Sequence, residues 1–137
     1  LEPEVINYIN ELDAMVYVLD CLPNIADRPY AELKSIIMAA VQQVRDKHPL
    51  TPILLTEHLG FGDERTNERH ATTSKNANTA LQDAYRELLK AGVKGLTILY
   101  KNEIGLSEDS FVDNIHPNDA GMLLYATAYK QKIEKNR

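Results

Sequence analysis

The sequence predicts an α/β fold, a single three-layer αβα sandwich around a parallel sheet, and three observations carry that prediction. Met15–Leu19, Pro52–Thr56 and Leu96–Tyr100 are apolar runs without polar alternation, the pattern of strands covered on both faces. Stretches of helical periodicity separate them. Helix and strand therefore alternate, which favours parallel strands joined by right-handed crossovers. At 137 residues the chain suffices for one domain spanning 1–137, near the lower limit for a sheet covered on both sides.

The elements follow in order. Pro3 suits a first helical turn, and Val5, Ile6, Ile9 and Leu12 recur at helical spacing, so a short helix is expected over Pro3–Glu11. The strand Met15–Leu19 ends at Asp20. Residues 20–30, with two prolines, Asp and Asn, read as a loop at its carboxyl end. Leu33, Ile36, Ile37, Ala40, Val41 and Val44 mark an amphipathic helix over Tyr30–His48, stopped by Pro49. The strand Pro52–Thr56 delivers Glu57 and His58, and an aperiodic loop runs from Leu59 to about His70. Ala77, Ala80, Leu81, Ala84, Leu88 and Leu89 predict a helix over Ala71–Ala91 with Gly92 as its stop. After Leu96–Tyr100, residues 101–118 read as a loop, and Asn118 or Asp119 caps a last helix through about Glu134.

Composition excludes several classes. Apolar residues are 44% and charged residues 26%, as in ordinary globular chains. A net charge of −5 without a Lys/Arg-rich face argues against nucleic acid or an anionic membrane as partner, and a small molecule fits better. Cys21 is the single cysteine, so no internal disulfide forms, and its apolar neighbours suit a buried thiol. No run has the length of a transmembrane helix. The opening Leu1-Glu2-Pro3-Glu4 is no signal peptide and lacks Met, which reads as a start inside a longer protein. A periplasmic or secreted location follows if a signal lies upstream.

Strands of such a sheet present their carboxyl ends to one edge, where ligands bind. Three segments bring polar groups there: Asp20 and Asn24 after the first strand, Glu57 and His58 after the second, Asp113 and His116 after the third. Asp113-Asn114-Ile115-His116-Pro117 places a carboxylate and an imidazole three residues apart. Within one turn Asp113 can accept from one ring nitrogen of His116, which leaves the other free to take a proton. Asn24, in a Pro-Asn turn, can donate to an oxyanion. Taken singly, each has a structural role open to it: Asp20 as a loop cap, Asn24 as a turn residue, His58 as a backbone partner, His48 at a helix end.

These residues together resemble the SGNH hydrolases, the GDSL-like lipases and acylhydrolases. Leu19-Asp20-Cys21-Leu22-Pro23-Asn24 after an apolar strand, Thr56-Glu57-His58 ending the next, and Asp113-x-x-His116 before a last helix carry the resemblance. It implies a flavodoxin-like three-layer fold and serine-based cleavage of a small acyl ester, possibly on a carbohydrate, with no cofactor. His116 would be general base and acid, Asp113 its orienter and Asn24 an oxyanion donor, while Asp20, Glu57 and His58 would line the substrate. Leu22 stands where many members have Gly.

The resemblance spans all 137 residues but only the later part of the family's domain. The Gly-Asp-Ser block that bears the nucleophile and the block with an oxyanion Gly belong before Pro3. Ser35, Ser74, Ser107 and Ser110 do not sit in strand-to-helix elbows, so no nucleophilic serine is expected in this chain. The fold is then incomplete at its N-terminus, and the edge of Met15–Leu19 is expected to be covered by the missing segment or by another chain. Two alternatives stay open: a metal-dependent hydrolase using Glu57, His58, Asp113 and His116, whose spacing fits no compact ligand motif, and a non-catalytic α/β ligand-binding domain.

Overall fold

The computed structural model describes residues 1–135. The chain forms α1 (Pro3–Ile9), β1 (Tyr17–Leu19), α2 (Leu22–Ile25), α3 (Tyr30–Lys47), β2 (Ile53–Thr56), α4 (Glu68–Lys90), β3 (Leu96–Leu99), α5 (Lys101–Ile104), a 3-10 turn at Glu108–Ser110, and α6 (Asp119–Lys135). All three strands are parallel in the order β1-β2-β3, with Tyr17 opposite Ile53 and Ile53 opposite Leu96. The fold is α/β, as expected. The predicted strands are trimmed at their ends, and two one-turn helices, α2 and α5, occupy stretches read as loop. Neither has length enough to leave a periodic signature, although Pro23 pre-sets the backbone of a first turn in α2.

Alternation along β2 separates two cores. Ile53 and Leu55 join Ile6 of α1, Leu33, Ile37, Val41 and Val44 of α3, and Ala77, Leu81 and Leu88 of α4 on one face. Leu54 turns the other way, against Tyr125 and Ala128 of α6, with Leu59, Leu99 and Ile104. Helices thus cover both faces of the sheet. Five turns of α3 and more than six of α4 pack against each other, so the first face is the thicker layer.

One expectation is corrected here. Met15–Leu19 was to be buried on both faces, but only Tyr17 and Leu19 are fully buried, Val16 packs half-buried against the second core, and Val18 is 38% exposed. The reason is topological: β1 is an edge strand, and α6 packs at the β3 side of the sheet. Met122 and Leu123 of α6 are also exposed, so apolar groups on α6 and on the β1 edge face solvent.

Two local devices set the carboxyl edge. Asn118 caps α6, its side chain accepting from Gly121 N at 3.0 Å and donating to Asp109 O at 2.7 Å. Gly121 lets α6 approach the preceding turn, since a Cβ there would stand 2.4 Å from Ser110 O. Between these anchors the backbone makes a narrow return: Phe111 bridges Pro117 antiparallel, and Val112 N donates to His116 O at 2.8 Å. The Asp-x-x-His segment is the tip of that return.

Candidate active site

Asp113 organises the tip by a local rule of short acidic side chains. Its Oδ1 accepts from the backbone N–H of Ile115 at 3.0 Å and of His116 at 2.8 Å, an Asx-type turn. Asn114, between them, has φ +67°, a left-handed conformation that Asn tolerates better than most residues. The turn brings the imidazole back, and His116 Nδ1 lies 2.8 Å from Asp113 Oδ2. A carboxylate can only accept, so Nδ1 carries the proton and Nε2 presents its lone pair.

The backbone N–H of His116, then its ring, then the N–H of Ile115 hold the Asp113 carboxyl down to about 2. It is ionised at any pH where the imidazole could act as base. Both side chains are open to solvent, His116 at 74% and Asp113 at 51%. The dyad is thus formed by the turn itself and not by burial.

Asn24 is exposed on α2, its backbone N–H donating to Cys21 O at 3.1 Å. Pro23 beside it and Pro117 beside His116 border the same cavity of about 430 Å³, whose other walls include Leu59, Met122 and Tyr125. The α2 turn and the dyad loop therefore share the carboxyl edge, across one apolar hollow.

Asp20 lies in a wall of that hollow. Its Oδ2 accepts from Tyr125 Oη at 3.1 Å and Tyr129 Oη at 2.8 Å, and Tyr129 Oη is also 2.9 Å from Thr56 Oγ1. Asp20 Oδ1 is shielded from solvent and has no hydrogen-bond partner among the described residues. Burial pushes its carboxyl up, against the two phenol hydrogen bonds.

Glu57 and His58 have a different placement. Glu57 is 4% exposed, and its two oxygens accept from Gln82 Nε2 and from the backbone N–H of Lys101, each at 2.6 Å. His58 is 2% exposed. Asn78 of α4 pairs with its backbone in both directions, accepting from His58 N at 2.7 Å and donating to His58 O at 3.1 Å. Its Nδ1 accepts from Gly60 N at 2.9 Å, and burial pushes the imidazole down to about 4. His58 is therefore neutral with its proton on Nε2. The structure brings Asp113 and His116 into contact and sets Asn24 exposed at the same edge, while Glu57 and His58 are bonded inside the framework.

Among the described residues no serine hydroxyl bonds His116. Ser74 donates to Glu64, Ser107 and Ser110 cap the 3-10 turn between themselves, and Ser35 is exposed on α3. Nor do three His, Cys, Asp or Glu side chains gather as metal ligands among the described residues. Sequence reasoning passed over Glu64, Lys101 and Asn78, which fix the loop after β2. The bonds of Glu64 and Asn78 that do so cross between segments far apart in the chain.

The profile of the GDSL-like lipase/acylhydrolase family matches residues 1–134. The chain belongs to that family. Among solved structures it resembles one described as a GDSL-like lipase from Bacteroides ovatus, with 30% identity and a TM-score of 0.88 over 98% of this chain. The salicylyl-acyltransferase SsfX3 of a tetracycline biosynthetic pathway shares the fold, at 18% identity and a TM-score of 0.76 over 98% of this chain. This chain spans about two fifths of each, 40% and 41%. No curated protein matches the sequence significantly. The family so matched is one of lipases and acylhydrolases.

Proposed function

We propose that this chain carries the base and one oxyanion donor of a serine-dependent esterase acting on a small acyl ester. The observation that carries the reading is the Asp113–His116 pair at 2.8 Å on an exposed ring, whose Nε2 has no hydrogen bond among the described residues. The serine comes from polypeptide outside these 137 residues, on a strand that pairs with the free edge of β1. Support for that placement is the uncharged edge of β1 and the neighbouring apolar hollow, both at the side where Asn24 and His116 stand.

In this reading the serine Oγ attacks the ester carbonyl carbon while His116 Nε2 takes the hydroxyl proton. Asp113 holds the ring in the required tautomer and stabilises the imidazolium. The tetrahedral oxyanion accepts a hydrogen bond from Asn24 Nδ2. On collapse the alkoxide leaves with the proton from His116. Water then repeats the sequence, losing its proton to the same nitrogen and releasing the acid. The site is open on the His116 side, which leaves room for a bulky alcohol such as a sugar hydroxyl.

The test compares this chain with a longer protein that includes the serine segment. The chain alone hydrolyses p-nitrophenyl acetate weakly, since water lacks the positioning of a held nucleophile, an advantage on the order of several kcal/mol. The longer protein turns over and is labelled by a fluorophosphonate on that serine. Hydrolysis by the short chain that resists the fluorophosphonate and disappears with a chelator would overturn the reading in favour of metal chemistry.

A further inference from the structure

The turn's own bonds bring the exposed dyad together, and a contact from outside the turn adds to them. The grip on Asn114 comes from the loop after β2: Gly62 N donates to Asn114 O at 2.8 Å. A Cβ at Gly62 would lie 3.0 Å from Asn114 Oδ1, 3.1 Å from Phe111 Cδ2 and 3.3 Å from Asn114 Cα, so a residue without a side chain lets the two loops approach this closely. Asn114 is the left-handed residue between Asp113 and His116. Its orientation decides whether the imidazole returns to the carboxylate.

The loop that carries Gly62 is in turn clamped by one side chain. Glu64 Oε1 accepts from Phe61 N at 3.1 Å and from the Ser74 hydroxyl of α4, and Glu64 Oε2 accepts from Lys101 Nζ of α5 at 2.6 Å. Phe61, immediately before Gly62, meets two rings, stacked on His70 at 4.1 Å and tilted against His58 at 4.7 Å. Gly60 has φ +92° and leaves room for the Lys101 ammonium, which would lie 2.4 Å from a Cβ there. Burial alone would push the Glu64 carboxyl up, but Lys101 and Ser74 hold it below its ordinary value, so it grips as a carboxylate.

We propose that Glu64, seated on Lys101 and Ser74, is a positioning residue for the Asp113–His116 dyad, acting through Phe61, Gly62 and the carbonyl of Asn114. Glu64 touches no reacting atom. Its effect is to keep the ring of His116 facing Asp113, and so to keep the proton on Nδ1. The proposal rests on the reading of that pair as the catalytic dyad.

The neutral His116 tautomer is the readout, measured on the 137-residue chain by two-bond 1H–15N correlation well above neutral pH. The intact chain shows mainly the Nδ1–H form, whereas an unconstrained imidazole favours Nε2–H. Glu64→Leu lowers the Nδ1–H to Nε2–H ratio about fivefold, and Lys101→Met, which removes one arm of the clamp, lowers it about twofold. Val44→Ala destabilises the opposite core and leaves the ratio unchanged. An unaltered ratio in Glu64→Leu overturns the proposal, as does an equal shift in Val44→Ala. Should Glu64→Leu not fold, Lys101→Met decides, and an unaltered ratio there overturns it. In the longer protein Glu64→Leu lowers kcat by about tenfold or more with KM little changed, as misplacement of a catalytic group does. The tautomer is read without turnover, so a failed clamp leaves the esterase reading standing, and an inactive longer protein leaves the tautomer result standing.

Discussion

Two acid–imidazole groups stand at the carboxyl ends of β2 and β3, and they have opposite environments. Glu57 and His58 are almost wholly buried, with both carboxylate oxygens and the His58 backbone bonded to neighbouring segments and His58 Nδ1 bonded by Gly60 of its own loop. Asp113 and His116 are exposed, bonded to each other and to their own turn. Identical chemistry thus serves two ends. Burial makes His58 a neutral structural strut, pushed down to about 4, while the open turn leaves a lone pair on His116 without a hydrogen bond among the described residues. A carboxylate near a histidine is informative only together with what remains unbonded.

The comparison breaks most visibly at His116. In the longer protein His116→Ala is expected to lower kcat/KM by about a thousandfold or more, measured with p-nitrophenyl acetate. Its melting temperature should stay within about a degree of the parent, because the ring is exposed and leaves no cavity. A large loss of stability with activity retained would exchange the roles of the two groups.

His58 should show the reverse, and pH tests it without mutation. Its folded pKa of about 4 lies below the ordinary 6.5, so the unfolded chain binds the extra proton between those values. Stability from this group is full above the higher value and is lost as pH falls through the lower. Over that window the loss is on the order of 3 kcal/mol. Urea unfolding at a series of pH values measures it, and a His58→Gln variant should lack that slope. Glu57→Ala comes next in size, at about 1–3 kcal/mol, since it strands the Lys101 N–H and the Gln82 amide without their acceptor.

The division between the two groups explains what could be read from sequence. Strands and long helices were legible because apolar runs and 3.6-residue periodicity are properties of a short window. The contact of Asp113 with His116 was legible for the same reason, since the three bonds that the Asp113 side chain accepts all close within three residues. The inward placement of Glu57 and His58 was not, because it depends on Gln82 and Asn78, which α4 supplies from across the fold. The exposure of Val18 depends likewise on where α6 lies on the sheet. Glu64 looked like one charge among many in an aperiodic loop until Lys101 and Ser74 met it.

Asp20 gives the smallest effect and sharpens the contrast, since it is a half-buried group of the carboxyl edge itself. Burial raises its carboxyl pKa, and its Oδ1 is left without a partner among the described residues. The folded state therefore binds the extra proton, opposite in sign to His58. Stability from Asp20 is full below its unfolded value and declines as pH rises through the raised folded value. Asp20→Asn keeps an oxygen for Tyr125 and Tyr129 but cannot ionise. The stability of this variant relative to the parent should thus improve steadily as pH rises from the acid range to neutrality, in the same urea series. If a strand of the longer protein offers a backbone N–H to Asp20 Oδ1, the carboxylate is solvated there and the pH slope shrinks. A slope in the 137-residue chain that survives undiminished in the longer protein would show that no added segment seats against Asp20.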